Sequence, residues 1–276
     1  MTKTIPIISG SDKDKAHVDA IGDCLGKDFE LDWRAASAHK EPRKVDEAIR
    51  AWNEQLTPLI TVAGRSDALS GYCAYRSYNP VVASRPDWGV GANHLEAFFF
   101  STVGMPSRVP VGGLLSPERT AGYVRRLANM QKVTSNDATV LALLGDDLNP
   151  QYAESFQKGI TQLGLAVTSR RCALDEVGDP SMRACVLFAY MDDDRQIDSL
   201  IKTTDKPIIL CPPQGTFGIL YARTCQAFDR GYRPEAAFVL DASLAGEYAA
   251  ATLGLADPAV RKAVIDSKPW VQKSPV

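Results

Sequence analysis

Only three histidines occur in the 276 residues, His17, His39 and His94, and none follows position 94. Chemistry that needs an imidazole therefore belongs to the front half of the chain. The six cysteines (Cys24, Cys73, Cys172, Cys185, Cys211 and Cys225) form no CxxC pair. They sit in or beside apolar runs, as buried thiols do in a reducing compartment, so a cytoplasmic location is expected. Neither sign of charge is in excess: 31 Lys and Arg face 33 Asp and Glu, for a formal charge of −2. That leaves no electrostatic footprint for nucleic acid or a membrane surface. No apolar run approaches the roughly 20 residues of a membrane span. The start, Met1-Thr2-Lys3-Thr4, leads straight into a strand, and neither signal peptide nor anchor is read there. The GxGxxG fingerprint and a Walker lysine are both missing, which weakens a Rossmann dehydrogenase reading.

What is present is a globular composition, 45% hydrophobic and 23% charged, long enough for one large domain or two ordinary ones. Apolar runs at 5–8, 29–36, 59–63, 81–83 and 109–114 read as strands. Helices are expected over 15–25, 44–55, just before Pro80, around 93–101, and from the turn at 115–117 to 130. A continuous apolar strand such as 59–63, beside the alternating run 29–36 and between amphipathic helices, predicts an α/β fold with a parallel sheet, layered αβα.

Polar residues gather at the strands' carboxyl ends, where open α/β sheets bind ligands. The first such stretch is Gly10-Ser11-Asp12-Lys13-Asp14. The second, Ser37-Ala38-His39-Lys40-Glu41-Pro42, puts a hydroxyl, an imidazole and an ammonium within four residues, with Pro42 suited to the first turn of a helix. The third is Gly64-Arg65-Ser66-Asp67, whose guanidinium fork suits a phosphate or carboxylate. Such loops can hold a phosphorylated metabolite and move a proton. His17, inside the first helix, and His94 read as structural.

Residues 131–137 are polar and aperiodic, and they divide a front module (1–130) from a rear one (138–276). In the rear, strands are expected at 140–144, 165–168, 186–190, 207–213 and 238–240, with a helix over 152–163. The order and the proline positions repeat those of the front. The offset is 135 residues early and 127 later, with Ser243 answering Ser116. This predicts two tandem copies that differ in chemistry. At the early offset Ser37, His39 and Lys40 face Cys172, Leu174 and Asp175, and at the later one Arg65 faces Asp192.

These motifs resemble the PurE family, the phosphoribosylaminoimidazole (AIR) carboxylases and carboxyaminoimidazole ribonucleotide mutases. Residues 10–14 are similar to the family's GSxSD loop and Ser37-Ala38-His39-Lys40 to its SAH(R/K) loop. Ala63-Gly64-Arg65-Ser66 resembles the class II form, which uses free carbon dioxide. Pro86-Asp87-Trp88-Gly89-Val90 and Leu115-Ser116-Pro117-Glu118 resemble the animal bifunctional enzyme. Ala256-Asp257-Pro258-Ala259-Val260-Arg261 resembles the family's terminal helix. Lys13, Asp67 and Ala74-Tyr75-Arg76 depart from the family pattern.

The resemblance implies a flavodoxin-like module and a carboxy-lyase that adds carbon dioxide to C4 of AIR, giving CAIR, without biotin, metal or ATP. It implies His39 and Lys40 as catalytic residues. Gly10, Ser11, Asp14, Ser37, Gly64, Arg65 and Ser66 would bind the ribonucleotide and the carboxylate. It also implies a pseudo-octamer, reached here by a tetramer of tandem chains. Three alternatives stand beside it: a mutase, a carboxylase for another ribonucleotide, and a catalytically inactive scaffold.

Overall fold

A computed structural model describes residues 2–63, 68–86, 109–130, 140–144, 150–164, 169–171, 186–190, 194–210, 235–239 and 241–273. The expected helix at 93–101, the expected strand at 165–168, the linker at 131–137, and residues 172, 174, 175 and 192 lie outside them. In the front half, strands β1 (Lys3–Ser9), β2 (Phe29–Ala35), β3 (Leu59–Val62), β4 (Val81–Ser84) and β5 (Val111–Leu114) alternate with helices. These are α1 (Lys15–Leu25), α2 (Pro42–Asn53), α3 (Ala68–Arg76) and α4 (Pro117–Ala128). The expected boundaries hold to within a few residues. The rear half supplies β6 (Val140–Leu144), α5 (Pro150–Thr161), β7 (Ser169–Arg171), β8 (Val186–Tyr190), α6 (Asp194–Thr203) and β9 (Ile208–Leu210). It continues with β10 (Ala237–Phe238), α7 (Ala242–Leu253), α8 (Pro258–Ser267) and α9 (Pro269–Lys273).

The inner strands β3, β4 and β5 are buried along their whole length, and β1 from Ile5 onward, because both faces of the sheet are covered, whereas the edge strand β2 alternates polar and apolar residues. On one face Ile5, Ile7, Ile60, Val62 and Val82 pack with α1 (Val18, Ile21, Leu25) and α4 (Ala121, Tyr123, Val124, Leu127). On the other, Ile8, Leu59, Val81 and Ala83 pack with α2 (Val45, Ala48, Ile49, Trp52) and α3 (Leu69, Cys73, Ala74). The result is the three-layer αβα architecture, with front strand order 2-1-3-4-5, the flavodoxin-like winding.

The described strands form a single ten-stranded sheet, ordered β2-β1-β3-β4-β5-β10-β9-β8-β6-β7. Read outward from β6, the rear half repeats the front's 2-1-3-4-5 order. The pairings are parallel except one: β5 meets β10 antiparallel at Gly113 and Phe238. A sheet continuous through both halves differs from the separate parallel modules expected.

The helices that follow the two junction strands start at a spacing other than the expected 127 residues. Ser116 caps α4 by accepting from the Arg119 amide, whereas the rear cap is Asp241, accepting from Ser243 and Leu244. The rear helix therefore begins 125 residues after the front one, and the expected partner of Ser116 moves from Ser243 to Asp241. At this offset Gly113 faces its own counterpart, Phe238, and Tyr123 matches Tyr248, both fully buried. Gly112 has no room for a side chain, because an added Cβ would come within 2.6 Å of the Tyr248 ring. Arg126 locks the seam. Its Nε donates to Glu235 Oε1 at 2.6 Å, Nη1 to Thr204 O and to Lys206 O, and Nη2 to Ile201 O.

The expected terminal helix forms as α8, capped by Asp257. Its basic side chains reach the front half. Arg261 donates to Tyr78 O at 2.6 Å and Asn53 O at 2.7 Å. Lys268 donates to Ala74 O and Ser77 O, and the Trp270 indole to Tyr75 O. These carbonyls lie at the carboxyl ends of α2 and α3, where helices leave acceptors without intrahelical donors.

Arg261→Met would strip two buried carbonyls of their donor, and is expected to cost about 2–4 kcal/mol. An unchanged urea midpoint would show that the tail adds no stability. Lys268 adds a pH signature, since burial lowers its pKa from 10.5 to about 8. Between these values the unfolded chain binds more protons than the folded one, so this group's contribution rises with pH. It is complete above pH 10.5 and falls away as pH drops through 8. Unfolding free energies of wild type and Lys268→Met should therefore diverge in favour of wild type from pH 8 to 10.5. A constant difference would rule this out.

Candidate active site

β1 lies between β2 and β3, and its end sets the neighbouring loops. The Ala36 amide donates to Ser9 O at 2.9 Å and the Gly10 amide to Val62 O at 2.9 Å. The turns after β1 and β2 thus leave the sheet side by side, next to the exit of β3. The winding reverses at β1, and a flavodoxin-like sheet opens its ligand crevice there.

The first turn is a short 3-10 helix, Asp12–Asp14, closed by a capping box. Asp14 Oδ2 accepts from the Ser11 amide at 3.0 Å and from Ser11 Oγ at 3.1 Å. Asp14 is buried, with 3% of its surface exposed. Asp14, expected among the substrate-binding residues, bonds Ser11 through this oxygen, while the exposed Ser11 is the half of the pair facing solvent. A second brace comes from below. The Trp33 indole donates to Ser9 Oγ at 3.0 Å, and Ser9 Oγ donates to Ser11 O at 2.9 Å. An added Cβ on Gly10 would meet nothing closer than 3.9 Å. The protein itself does not demand glycine there, and the open space suits close approach of a ligand to the backbone.

The second turn is held by its backbone: the amides of Lys40 and Glu41 both donate to Ser37 O, at 3.2 and 2.7 Å. Pro42 occupies the first turn of α2 as expected, with Glu41 at the cap position. Lys44 bonds the Glu41 carboxylate and lowers its pKa. Ser37 is half-buried, while His39 and Lys40 are exposed. Gly64, Arg65 and Ser66 lie outside the described residues, as does His94. The structure therefore places the turn that carries Gly10, Ser11 and Asp14 beside the turn that carries Ser37, His39 and Lys40.

Four further residues at these strand ends escaped the sequence reading. Arg85 is buried directly after β4, and its amide donates to Leu114 O. His17, Ser84 and Thr120 form a hydrogen-bonded chain beside it. The run Ser84-Arg85-Pro86 at a strand's carboxyl end was the available signal for Arg85. Nothing local linked it to His17 or Thr120. Among the described residues no cluster of three metal-ligating side chains occurs, and no helix is long and apolar enough to cross a membrane.

A family model described as AIR carboxylase matches residues 4–138. A phosphoribosylaminoimidazole carboxylase of Archaeoglobus fulgidus is 39% identical over 125 residues, covering 44% of this chain and 66% of that protein. Its counterpart in Treponema denticola is 29% identical over 136 residues, covering 47% of this chain and 82% of that protein. The crystal structure of Treponema denticola PurE covers 45% of this chain and 79% of its own, at 28% identity and a TM-score of 0.40. The chain thus spans just under two thirds of the Archaeoglobus relative, and each match takes up less than half of this chain.

Asp14→Ala would remove the acceptor for both Ser11 groups. It is expected to cost about 1–3 kcal/mol and to speed amide hydrogen exchange across residues 10–14. Exchange in that turn at the wild-type rate would show that the box does not hold it.

Proposed function

We propose that the protein, whose residues 4–138 match the AIR carboxylase family model and are similar to the Archaeoglobus fulgidus phosphoribosylaminoimidazole carboxylase, belongs to the PurE family and carboxylates 5-aminoimidazole ribonucleotide (AIR) in purine synthesis. Carbon dioxide would be the second substrate and 4-carboxy-AIR (CAIR) the product, making the enzyme a carboxy-lyase. The observation that carries this reading is the junction of two turns on one strand end: Gly10-Ser11 beside Ser37-Ala38-His39-Lys40, tied through Ser9 O and Val62 O.

AIR is an enamine, so its C4 is already nucleophilic. C4 attacks the carbon of carbon dioxide, one C=O bond opens to a carboxylate, and C4 then holds both hydrogen and carboxylate. Loss of that hydrogen as a proton returns its electron pair to the ring and restores aromaticity. His39 is the base in this reading, since an imidazole nitrogen can take up the proton that C4 gives up. Lys40 and Ser37 bind the 5′-phosphate, aided by the backbone amides that begin α2. Ser11 meets the ribose or phosphate, held in place by Asp14, and Gly10 lets the ligand approach the backbone. Gly64, Arg65 and Ser66 orient carbon dioxide and the new carboxylate, where a fixed cation stabilises developing charge.

The base must work in a dry pocket, and His39 is exposed in the single chain. A neighbouring subunit covering the loop would supply that cover, and four tandem chains give the pseudo-octamer. The rear half belongs to this reading as a second, eroded module. The repeated strand order, the equal helices at an offset of 125 and the facing counterparts Gly113 and Phe238 support it.

The test is carboxylation of AIR with bicarbonate in the absence of ATP. Wild type should turn over, and His39→Asn should lose at least about 100-fold in rate, as for other lost proton-transfer groups, with its circular dichroism unchanged. Turnover by the variant near the wild-type rate would reject His39 as the base. No turnover by wild type would favour the scaffold.

A further inference from the structure

The chain of polar groups behind the site has a direction that its partners fix. His17 Nε2 lies 2.9 Å from Ser84 Oγ, and Ser84 Oγ lies 2.7 Å from Thr120 Oγ1. Thr120 Oγ1 in turn donates to Ser116 O at 2.8 Å. Each hydroxyl carries one proton. Thr120 gives its proton to the carbonyl, so Ser84 must donate to Thr120. Ser84 Oγ is then left to accept, and His17 Nε2 must carry a hydrogen. The tautomer follows from the network.

The chain joins three strand exits. His17 is the third residue of α1, three positions after the Asp14 that fixes Ser11. Ser84 ends β4, directly before the buried Arg85, and Ser116 is the cap of α4 after β5. Ser84 and Thr120 are buried, at 2% and 0% exposure. A missing donor is costly in such a place, because water cannot replace it. A leucine at 17 would fill the same helix position but leave the Ser84 oxygen without its donor.

We propose that His17 is a positioning residue for the ribonucleotide. Its Nε2–H ties the helix behind the Ser11 turn to the exits of β4 and β5, so that the turn meets the ligand in one fixed position. The proposal rests on the ribonucleotide reading of the site given above.

Ribose 5-phosphate is the probe, titrated calorimetrically into wild type, His17→Leu, His17→Gln and Ser84→Ala. His17→Leu and Ser84→Ala should bind it about tenfold more weakly, a difference of about 1.4 kcal/mol. His17→Gln, whose amide nitrogen can donate to Ser84, should stay within about threefold of wild type. Nitrogen-15 NMR of the wild-type ring should show hydrogen on Nε2. A merely structural role would lower Tm in the variants and leave the affinity of the folded protein unchanged. That result overturns the proposal, as does a wild type that fails to bind the probe. Binding with this variant pattern but without carboxylation of AIR would reject the reaction and leave the positioning role intact.

Discussion

The parallel ladder through β1 is the constraint on which the rest depends. This strand is bonded on both edges and buried on both faces, so its end has one position. Ser9 accepts the Ala36 amide through its carbonyl, the Trp33 indole through its hydroxyl, and passes that hydroxyl's proton to Ser11 O. The turns carrying Ser11 and His39 come from segments far apart in the chain. They are neighbours because a 2-1-3 strand order leaves their parent strands no other arrangement.

Around that strand end the site is built in two layers. The exposed layer, Ser11, His39 and Lys40, can touch a ligand. Beneath Ser11, the side chains of Ser9, Asp14 and Trp33 hold its turn through hydrogen bonds in poorly hydrated surroundings, where an unmade bond costs most.

The rear half acts on the front through polar contacts that span the chain. Arg126 reaches backward into it, and Arg261, Lys268 and Trp270 reach forward from it to the carboxyl ends of α2 and α3. The helix α3 follows directly on residues 64–67, the third of the sequence-read loops. Tyr123 and Tyr248 meet at the seam, where burial raises both pKa values and each phenol bears on the other's ionisation. The front half therefore shares its stability with the rear.

Local periodicity and short polar motifs determined much of this protein. Strands with apolar runs, helices with one apolar face, Pro42 in a first turn, and the loops at 10–14 and 37–40 were legible because each depends on residues close in sequence. Only the tertiary structure decided that one sheet runs through both halves across Gly113 and Phe238, that the helices after these strands start 125 residues apart, and that Asp14 turns inward to Ser11. The same holds for His17, which sequence marked as one more helical residue and whose partner is 67 positions away. Arg261 finds its carbonyls at separations of 183 and 208. A hydrogen-bonding group carries no local mark of its distant partner. That partner is settled only when hydrophobic burial has brought the elements together and each buried donor or acceptor must find one.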